Sequence, residues 1–158
     1  MASYNERLQR LFSRYQKEMD SGPAMLDDVY AWAKKEGLWK PREENIRAQF
    51  KEEMAQALRE EYRTDETGRR YRAKHAVRAK IGDKQISFWG DIDRDPRDHM
   101  VTSFAQKRRH ITGECHQLKI DVDHFNETHP DEEPIQLSLN FEDDVNERLA
   151  EEGLANVA

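Results

Sequence analysis

Residues 68–92 read GRRYRAKHAVRAKIGDKQISFWGDI, and this stretch decides the fold. Residues 68–80 carry six Lys or Arg and no Asp or Glu. The bases fall mostly on even positions, while apolar residues and His75 occupy the odd positions up to Ile81. Because successive side chains of a strand point to opposite faces, this period of two predicts a β-hairpin that turns at residues 82–84. Its inner face would be apolar and its outer face strongly cationic.

Composition limits the fold class and the cellular setting. The chain has 158 residues, of which 37% are charged and 36% apolar, which predicts long amphipathic helices around a thin core. No apolar run approaches the roughly 20 residues needed to span a bilayer, and no secretory leader follows Met1. The single Cys115 cannot form an intrachain disulfide. We therefore expect a cytoplasmic protein that makes no contact with a membrane.

Charge is distributed unevenly along the chain. Residues 127–152 hold ten acids and one base, a net charge of −9, whereas the whole chain has a net charge of −6. The remainder is therefore about +3, by −6 minus −9. Such asymmetry is typical of nucleic-acid interaction or of an acidic tail that only adds solubility, and both interpretations stay open.

Three helices are predicted before the hairpin, over residues 3–19, 26–36 and 41–62. Ser3 and Glu6 have the spacing of a capping box at the start of the first helix. Gly37 is a stop signal for the second helix, and Pro41 fits the first turn of the third. The inward positions of each helix are apolar at helical spacing.

Three helices followed by a two-stranded hairpin is an order of elements that resembles winged helix-turn-helix domains, over residues 3–92. The resemblance is topological. It implies that the third helix would enter the major groove and that a wing at residues 69–92 would touch the DNA backbone. Residues 42–63 hold five bases and six acids, so we expect the hairpin to be the stronger contact. Alternatively, the domain is a winged domain that binds protein.

A heptad pattern follows the hairpin. Apolar residues alternate in steps of three and four from Val101 to Phe125, and only Arg108 interrupts them. The pattern predicts a long helix whose seam either pairs with a second copy or packs along the three-helix body of its own chain. The residues assigned to dimerisation are Phe104, Arg108, Ile111, Cys115, Leu118, Val122 and Phe125.

The remaining segments complete the predicted fold. Residues 134–141 alternate apolar and polar side chains, which predicts a late strand, and residues 142–153 form a short helix or an acidic tail. The fold class is therefore mainly α with a small antiparallel sheet (α+β). The predicted divisions are 1–95 (winged-helix-like body with the basic hairpin), 96–129 (heptad helix) and 130–158 (acidic strand and tail).

No catalytic or metal-binding pattern stands out. His110 and Cys115 are five residues apart, whereas two ligands on one helix need a spacing of three or four. The acids of residues 91–95 begin like a calcium loop, but Pro96 occupies the position that requires Gly. We expect no cofactor, no metal and no enzymatic activity. A magnesium-dependent nuclease that uses these acids with Lys74 or Lys84 is the alternative.

The sequence favours a DNA-binding regulator or accessory factor of a bacterial or phage type, acting as a homodimer on double-stranded DNA. The alternative is an adaptor or inhibitor that binds a protein partner through its heptad helix and acidic C-terminal region, without nucleic acid. The residues assigned to nucleic-acid contact are Arg69, Arg70, Arg72, Lys74, Arg78, Lys80, Trp89, Lys107 and Arg109.

Overall fold

A computed structural model describes residues 1–20, 22–42 and 46–154. Within these ranges the chain forms five helices and two antiparallel sheets of two strands each, which confirms the α+β class. None of the helices in this part of the chain is both long enough and apolar enough to cross a membrane. The chain divides into two compact units, Met1–Phe50 and Lys51–Ala158. The boundaries predicted at residues 95 and 129 both fall inside the second unit.

The first unit contains α1 (Tyr4–Glu18) and α2 (Leu26–Lys35), and the signals predicted for the start of α1 and the end of α2 are both confirmed. The hydroxyl of Ser3 accepts a hydrogen bond from the backbone N–H of Glu6, and the carboxylate of Glu6 accepts one from the backbone of Ser3, which confirms the capping box. Gly37 has a φ of +67° and ends α2. The two helices pack together through the rings of Tyr15 and Trp32, which meet edge-to-face, and Val29 and Ala33 of α2 are buried.

The next helix, α3 (Ile46–Arg59), ends earlier than predicted. Its predicted start falls partly on residues 43–45, outside the described residues. The last predicted helical residue, Tyr62, instead begins a strand that the sequence analysis missed. This strand, β1 (Tyr62–Thr64), pairs antiparallel with β2 (Arg70–Arg72), because the turn between them is closed by Gly68 at a φ of +85°.

The predicted hairpin is confirmed for β3 (Lys74–Ile81) and β4 (Lys84–Asp91). Ile81 pairs with Lys84, so the turn contains two residues, and Gly82 adopts a φ of +61° at its first position. His75 and Ala79 lie on the more buried side of β3, while Arg78 and Lys80 are exposed.

A bend at Ala73 breaks the single ribbon predicted for residues 69–92. Ala73 is completely buried, its N–H donates to the carbonyl of Glu61 (2.9 Å), and its carbonyl accepts from the N–H of Ile92 (2.9 Å). The residue thereby joins the two strand pairs. It also shifts the alternation of side chains, so that Arg72 and Lys74 lie on opposite faces although both positions are even. The prediction that the even-numbered bases form one surface is therefore wrong.

The long helix predicted from the heptad pattern is present as α4 (Arg97–Thr128). It packs along the free edge of β3, where Ser103 and Gln106 bond to the strand backbone in place of a neighbouring strand. Ser103 donates to the carbonyl of Ala76 (2.7 Å), and Gln106 bonds to both backbone groups of Arg78 (2.8 Å each). His99 bonds to the carbonyl of His75 (2.8 Å), the residue that pairs with Gly90 of β4.

Gly90 on β4 allows this helix to approach closely. A Cβ atom at this position would lie 2.7 Å from Nε2 of His99. A side chain at residue 90 would therefore displace the His99 ring, which bonds to the carbonyl of His75.

The late strand predicted over residues 134–141 is wrong, because within the described residues this segment pairs with no strand. The backbone of Ile135 bonds instead to the side-chain amide of Asn126, at 2.9 Å through its N–H and 3.1 Å through its carbonyl. The segment leads into a short helix, α5 (Glu142–Glu151), at residues where a helix or tail was expected.

Replacing Gln106 with Ala should weaken the contact between α4 and β3. Both backbone groups of Arg78 lose a partner, so we expect a loss of about 1 kcal/mol in the free energy of unfolding, measured by urea denaturation. The amide of Arg78 should also exchange with solvent faster. Gln117→Ala on the same helix is the control, because Gln117 bonds only to Asp121 one turn away. Equal effects of the two substitutions would contradict a role for Gln106 in covering the strand edge.

Candidate nucleic-acid interface

One face of the β1–β2 sheet carries exposed arginines arranged around a tyrosine. The guanidinium of Arg70 lies 4.0 Å from the centroid of the Tyr62 ring, and that of Arg72 lies 5.7 Å from it. Arg72 is the direct cross-strand partner of Tyr62. Cation–π contacts of this kind hold a guanidinium in place without neutralising its charge. Both arginines therefore stay available to an anion.

The helix α4 brings a third cation to the same place. Lys107 lies close enough to Arg72 that desolvation, together with the positive charge of that guanidinium, lowers the pKa of the lysine, while Tyr62 acts in the opposite direction. Tyr62, Arg70, Arg72 and Lys107 are called the Tyr62 face below. Within the described residues, no carboxylate forms an ion pair with any of its three cations. The three cations of this face therefore repel one another.

Other bases of the predicted surface are neutralised within the chain. The ammonium of Lys74 lies 2.8 Å from Asp91 and 3.6 Å from Glu61, and only 24% of the side chain is exposed. Arg69 pairs with Asp65 at 3.1 Å. A phosphate would compete with these carboxylates for both side chains, so both are weaker candidates than their sequence positions indicated.

The remaining predicted contacts do not join the Tyr62 face. Arg78 and Lys80 are exposed but follow Lys74 along β3 at even spacing, so they lie on its face of the strand. Arg109 is exposed on α4 two residues after Lys107, a position roughly 200° further around the helix. The structure therefore brings together three of the predicted bases and separates the others.

Trp89 is half-buried on β4, where its ring lies 5.9 Å from the guanidinium of Arg59. It lines an open pocket of about 440 Å³ together with Leu58, Lys74, Gly90, Asp91, Arg94 and Asp95. Because Lys74 and Asp91 neutralise each other there, the pocket offers little net charge to a ligand.

The face opposite Tyr62 is organised by Asp91, whose side chain is 9% exposed. Arg63 binds both of its carboxylate oxygens, at 2.8 and 2.6 Å, and Lys74 adds a third bond. Arg63 also reaches Asp93 at 2.7 Å, and the hydroxyl of Tyr71 donates to Asp93 at 2.9 Å. Hydrogen bonds from Arg63, and to a smaller extent from Lys74, hold the pKa of Asp91 far below its usual range. The same bonds raise the pKa values of Arg63 and Lys74. Sequence analysis missed Arg63, although Tyr-Arg-Thr before a Gly-containing turn is a strand signal.

His75 is buried, as its inner-face position predicted. Its Nε2 donates to the carbonyl of Arg72 (2.8 Å), and its ring packs edge-to-face on Phe104 at 5.2 Å between centroids. Burial lowers the pKa of His75, with Lys107 and Arg72 acting in the same direction. The imidazole therefore favours the neutral form and helps to position the strand beneath the Tyr62 face.

The heptad seam lies along α4, mostly exposed. Val101, Phe104, Ile111, Leu118 and Phe125 each keep 40–52% of their surface accessible. Cys115 and Val122 are half-buried, and Arg108 is exposed. Phe104 is the seam residue whose ring touches the hairpin, through His75. An apolar stripe of this length is larger than the scattered apolar residues of an ordinary surface.

In the part of the chain that the structure describes, no group of three or more His, Cys, Asp or Glu residues could hold a metal ion. Asp91 and Asp93 are bonded to Arg63, and Asp95 accepts a bond from the backbone N–H of Asp91. The expectation that the protein is not an enzyme stays a prediction.

Comparison with known proteins adds no relative. No family model, no curated protein and no solved structure matches this chain.

The stability of the second unit should depend on pH through Asp91. Because the folded pKa of this carboxyl lies below its unfolded value of about 3.9, the stability it contributes is present at neutral pH and is lost progressively below about pH 5. Asp91→Asn should lower the thermal unfolding midpoint by several degrees at pH 7 and flatten its dependence on pH between 5 and 2. Asp83→Asn, in the exposed turn, is the control. A variant with the same acid sensitivity as the parent would contradict this role.

Proposed function

We propose that this protein is a DNA-binding regulatory or accessory protein that contacts the phosphate backbone of double-stranded DNA through the Tyr62 face, as a homodimer. The observation that supports this most strongly is the placement of two exposed guanidinium groups on one aromatic ring. Those of Arg70 and Arg72 lie 4.0 and 5.7 Å from the centroid of Tyr62, and within the described residues neither pairs with a carboxylate. Burial lowers the pKa of Lys107, and the charge of Arg72 acts in the same direction. A bound phosphate would offset the charge of these groups.

The chemistry of the face fits a polyanion. Arg70 and Arg72 present planar donor groups that suit phosphate oxygens, and Tyr62 orients them beforehand. The opposite face, around Asp91, is neutralised by the chain's own bases. Positive potential is therefore concentrated on one side of the β1–β2 sheet, which is the arrangement that steers DNA to a defined surface.

The order of elements is consistent with the winged-helix resemblance, which we include in the proposal. In that arrangement α3 would lie in the major groove, and the hairpin of β3 and β4 would be the wing. The Tyr62 face would lie at the base of the wing, because β2 continues into β3 through Ala73. Contacts there would position the protein on the DNA without reading its sequence.

The dimer is supported by the exposed seam on α4. A second copy of the chain could cover this seam, because helices with heptad seams commonly pair with identical helices. Two copies would also present two Tyr62 faces, which increases the number of phosphate contacts. The exposed seam and the acidic start of α5, with Glu142, Asp143 and Asp144, equally support the second candidate function, a protein-binding adaptor or inhibitor.

The double substitution Arg70→Ala and Arg72→Ala should weaken binding to generic duplex DNA by at least tenfold in gel-shift titrations. Each lost phosphate contact releases fewer counterions, so the slope of log affinity against log salt should fall by about two. The matched control is Arg10→Ala with Arg14→Ala on α1, which removes the same charge elsewhere. If both double variants bind like the parent, or lose affinity equally, the Tyr62 face is not the contact site. Absence of any shift at low salt in the parent would favour the adaptor.

The substitution Leu118→Asp should convert the dimer into a monomer, because it places a charge in the apolar seam. The measurement is the mass in solution by light scattering over a range of concentrations. Ile120→Asp is the matched control: Ile120 lies on the same helix and is 47% exposed, against 45% for Leu118, but it points away from the seam. Dimers that survive Leu118→Asp would contradict pairing through α4.

A further inference from the structure

We propose that the two copies of α4 pair antiparallel, centred at residue 113, so that the basic half of each helix lies against the acidic half of the other. This inference rests on the proposed homodimer and specifies its geometry. The occupant of the exposed seam is therefore a second copy of this chain in one orientation.

The seam residues have a symmetry that suits this arrangement. The first seam residue pairs with the last, the second with the second-last, and so on, and the two residue numbers of each pair add to 226. An antiparallel copy centred at residue 113 therefore places every seam residue opposite another seam residue. The layers would join Val101 to the partner's Phe125, Phe104 to the partner's Val122, Arg108 to the partner's Leu118 and Ile111 to the partner's Cys115. No seam residue is left without an opposing residue.

Charge distinguishes the two possible directions. Residues 97–112 hold four bases and one acid, a net of +3, and residues 114–128 hold one base and four acids, a net of −3. Parallel pairing would put like charge beside like charge along the whole helix. Antiparallel pairing puts each half beside its opposite, and flanking charges of this kind set the direction of helix pairs.

Arg108, the one polar residue of the seam, provides the most specific test of direction. In a parallel pair it would face its own copy, so that two guanidinium groups would share one layer. In the antiparallel pair it faces the partner's Leu118. Side chains lean toward the N-terminus of their own helix, so the guanidinium would reach toward the partner's Asp121, which flanks the next layer.

The seam is accessible beside the hairpin. The stripe of α4 that covers β3 consists of His99, Ser103 and Gln106, whereas Val101 and Arg108 leave the helix on another side. Val101 and Phe125, the two ends of the seam, are 51% and 40% exposed. Phe104, whose ring packs edge-to-face on His75, still keeps 47% of its surface accessible, so a second helix can reach the seam beside the contact between α4 and β3.

Thiol crosslinking of single-cysteine chains tests the direction. Val101→Cys and Phe125→Cys are made separately on a Cys115→Ala background in the full chain, and each is treated with a short bismaleimide alone and as a mixture. Antiparallel pairing predicts crosslinks only in the mixture, because identical positions would lie roughly 36 Å apart along the helices. Each single-cysteine chain serves as the control for the other. Crosslinks within either chain alone, and none between the two, would show parallel pairing and overturn the proposal.

A charge exchange provides a second measurement that does not depend on cysteine geometry. Asp121→Arg should weaken dimerisation about tenfold, and adding Arg108→Asp should restore most of the affinity. Failure of the second substitution to restore affinity would overturn the proposed contact. A parent that is monomeric at all concentrations would overturn the dimer as well. The DNA titration of the Arg70 and Arg72 variants tests the Tyr62 face independently of the dimer. A monomeric parent that still binds DNA through these arginines would overturn the dimer but not the phosphate contact.

Discussion

The contact between α4 and the edge of β3 determines most of what this protein presents to its surroundings. An edge strand has unpaired backbone groups, and here a helix satisfies them with the side chains of Ser103 and Gln106. The same contact places Lys107 beside Arg72 and leaves the heptad seam facing outward. Gly90 leaves room for the His99 ring, which a Cβ atom at residue 90 would meet at 2.7 Å.

The second determinant is the bend at Ala73, which separates two electrostatic environments. On one side, Asp91 collects Arg63 and Lys74 into a compact set of ion pairs that is largely neutral. On the other, Arg70 and Arg72 rest on Tyr62 without an acidic partner in the described residues. A surface can attract a polyanion only if its cations are not already paired, so this separation gives the proposed interface its physical basis.

The two proposals depend on different parts of the second unit and fit together. The Tyr62 face supplies contacts that carry no sequence information, while pairing through α4 would present two such faces in a fixed relation. Antiparallel pairing would place the two Lys107 side chains roughly 18 Å apart along the joined helices, because each lies six residues before the centre of pairing at residue 113. A dimer of this kind would contact phosphates at two separated points of a duplex.

Much of the local structure was determined by the sequence alone. The capping box at Ser3, the stop at Gly37, the turn at Gly82 and the length of α4 follow from short-range rules, because each depends on residues within a few positions of one another. The apolar seam of α4 and the opposite net charges of its two halves can likewise be seen in the sequence. These features gave the fold class and the long helix correctly.

Tertiary structure alone decided which bases are available and which segments become strands. Lys74 and Arg70 look equivalent in the sequence, but one meets Asp91 and the other meets Tyr62, because Ala73 is held by backbone bonds to Glu61 and Ile92. Residues 134–141 alternate like a strand yet form none, because a strand also needs a partner, and the backbone of Ile135 bonds to the side chain of Asn126 instead. Periodicity records which side chains share a face of an isolated segment. Whether that face meets a carboxylate, an aromatic ring or solvent depends on residues distant in the chain.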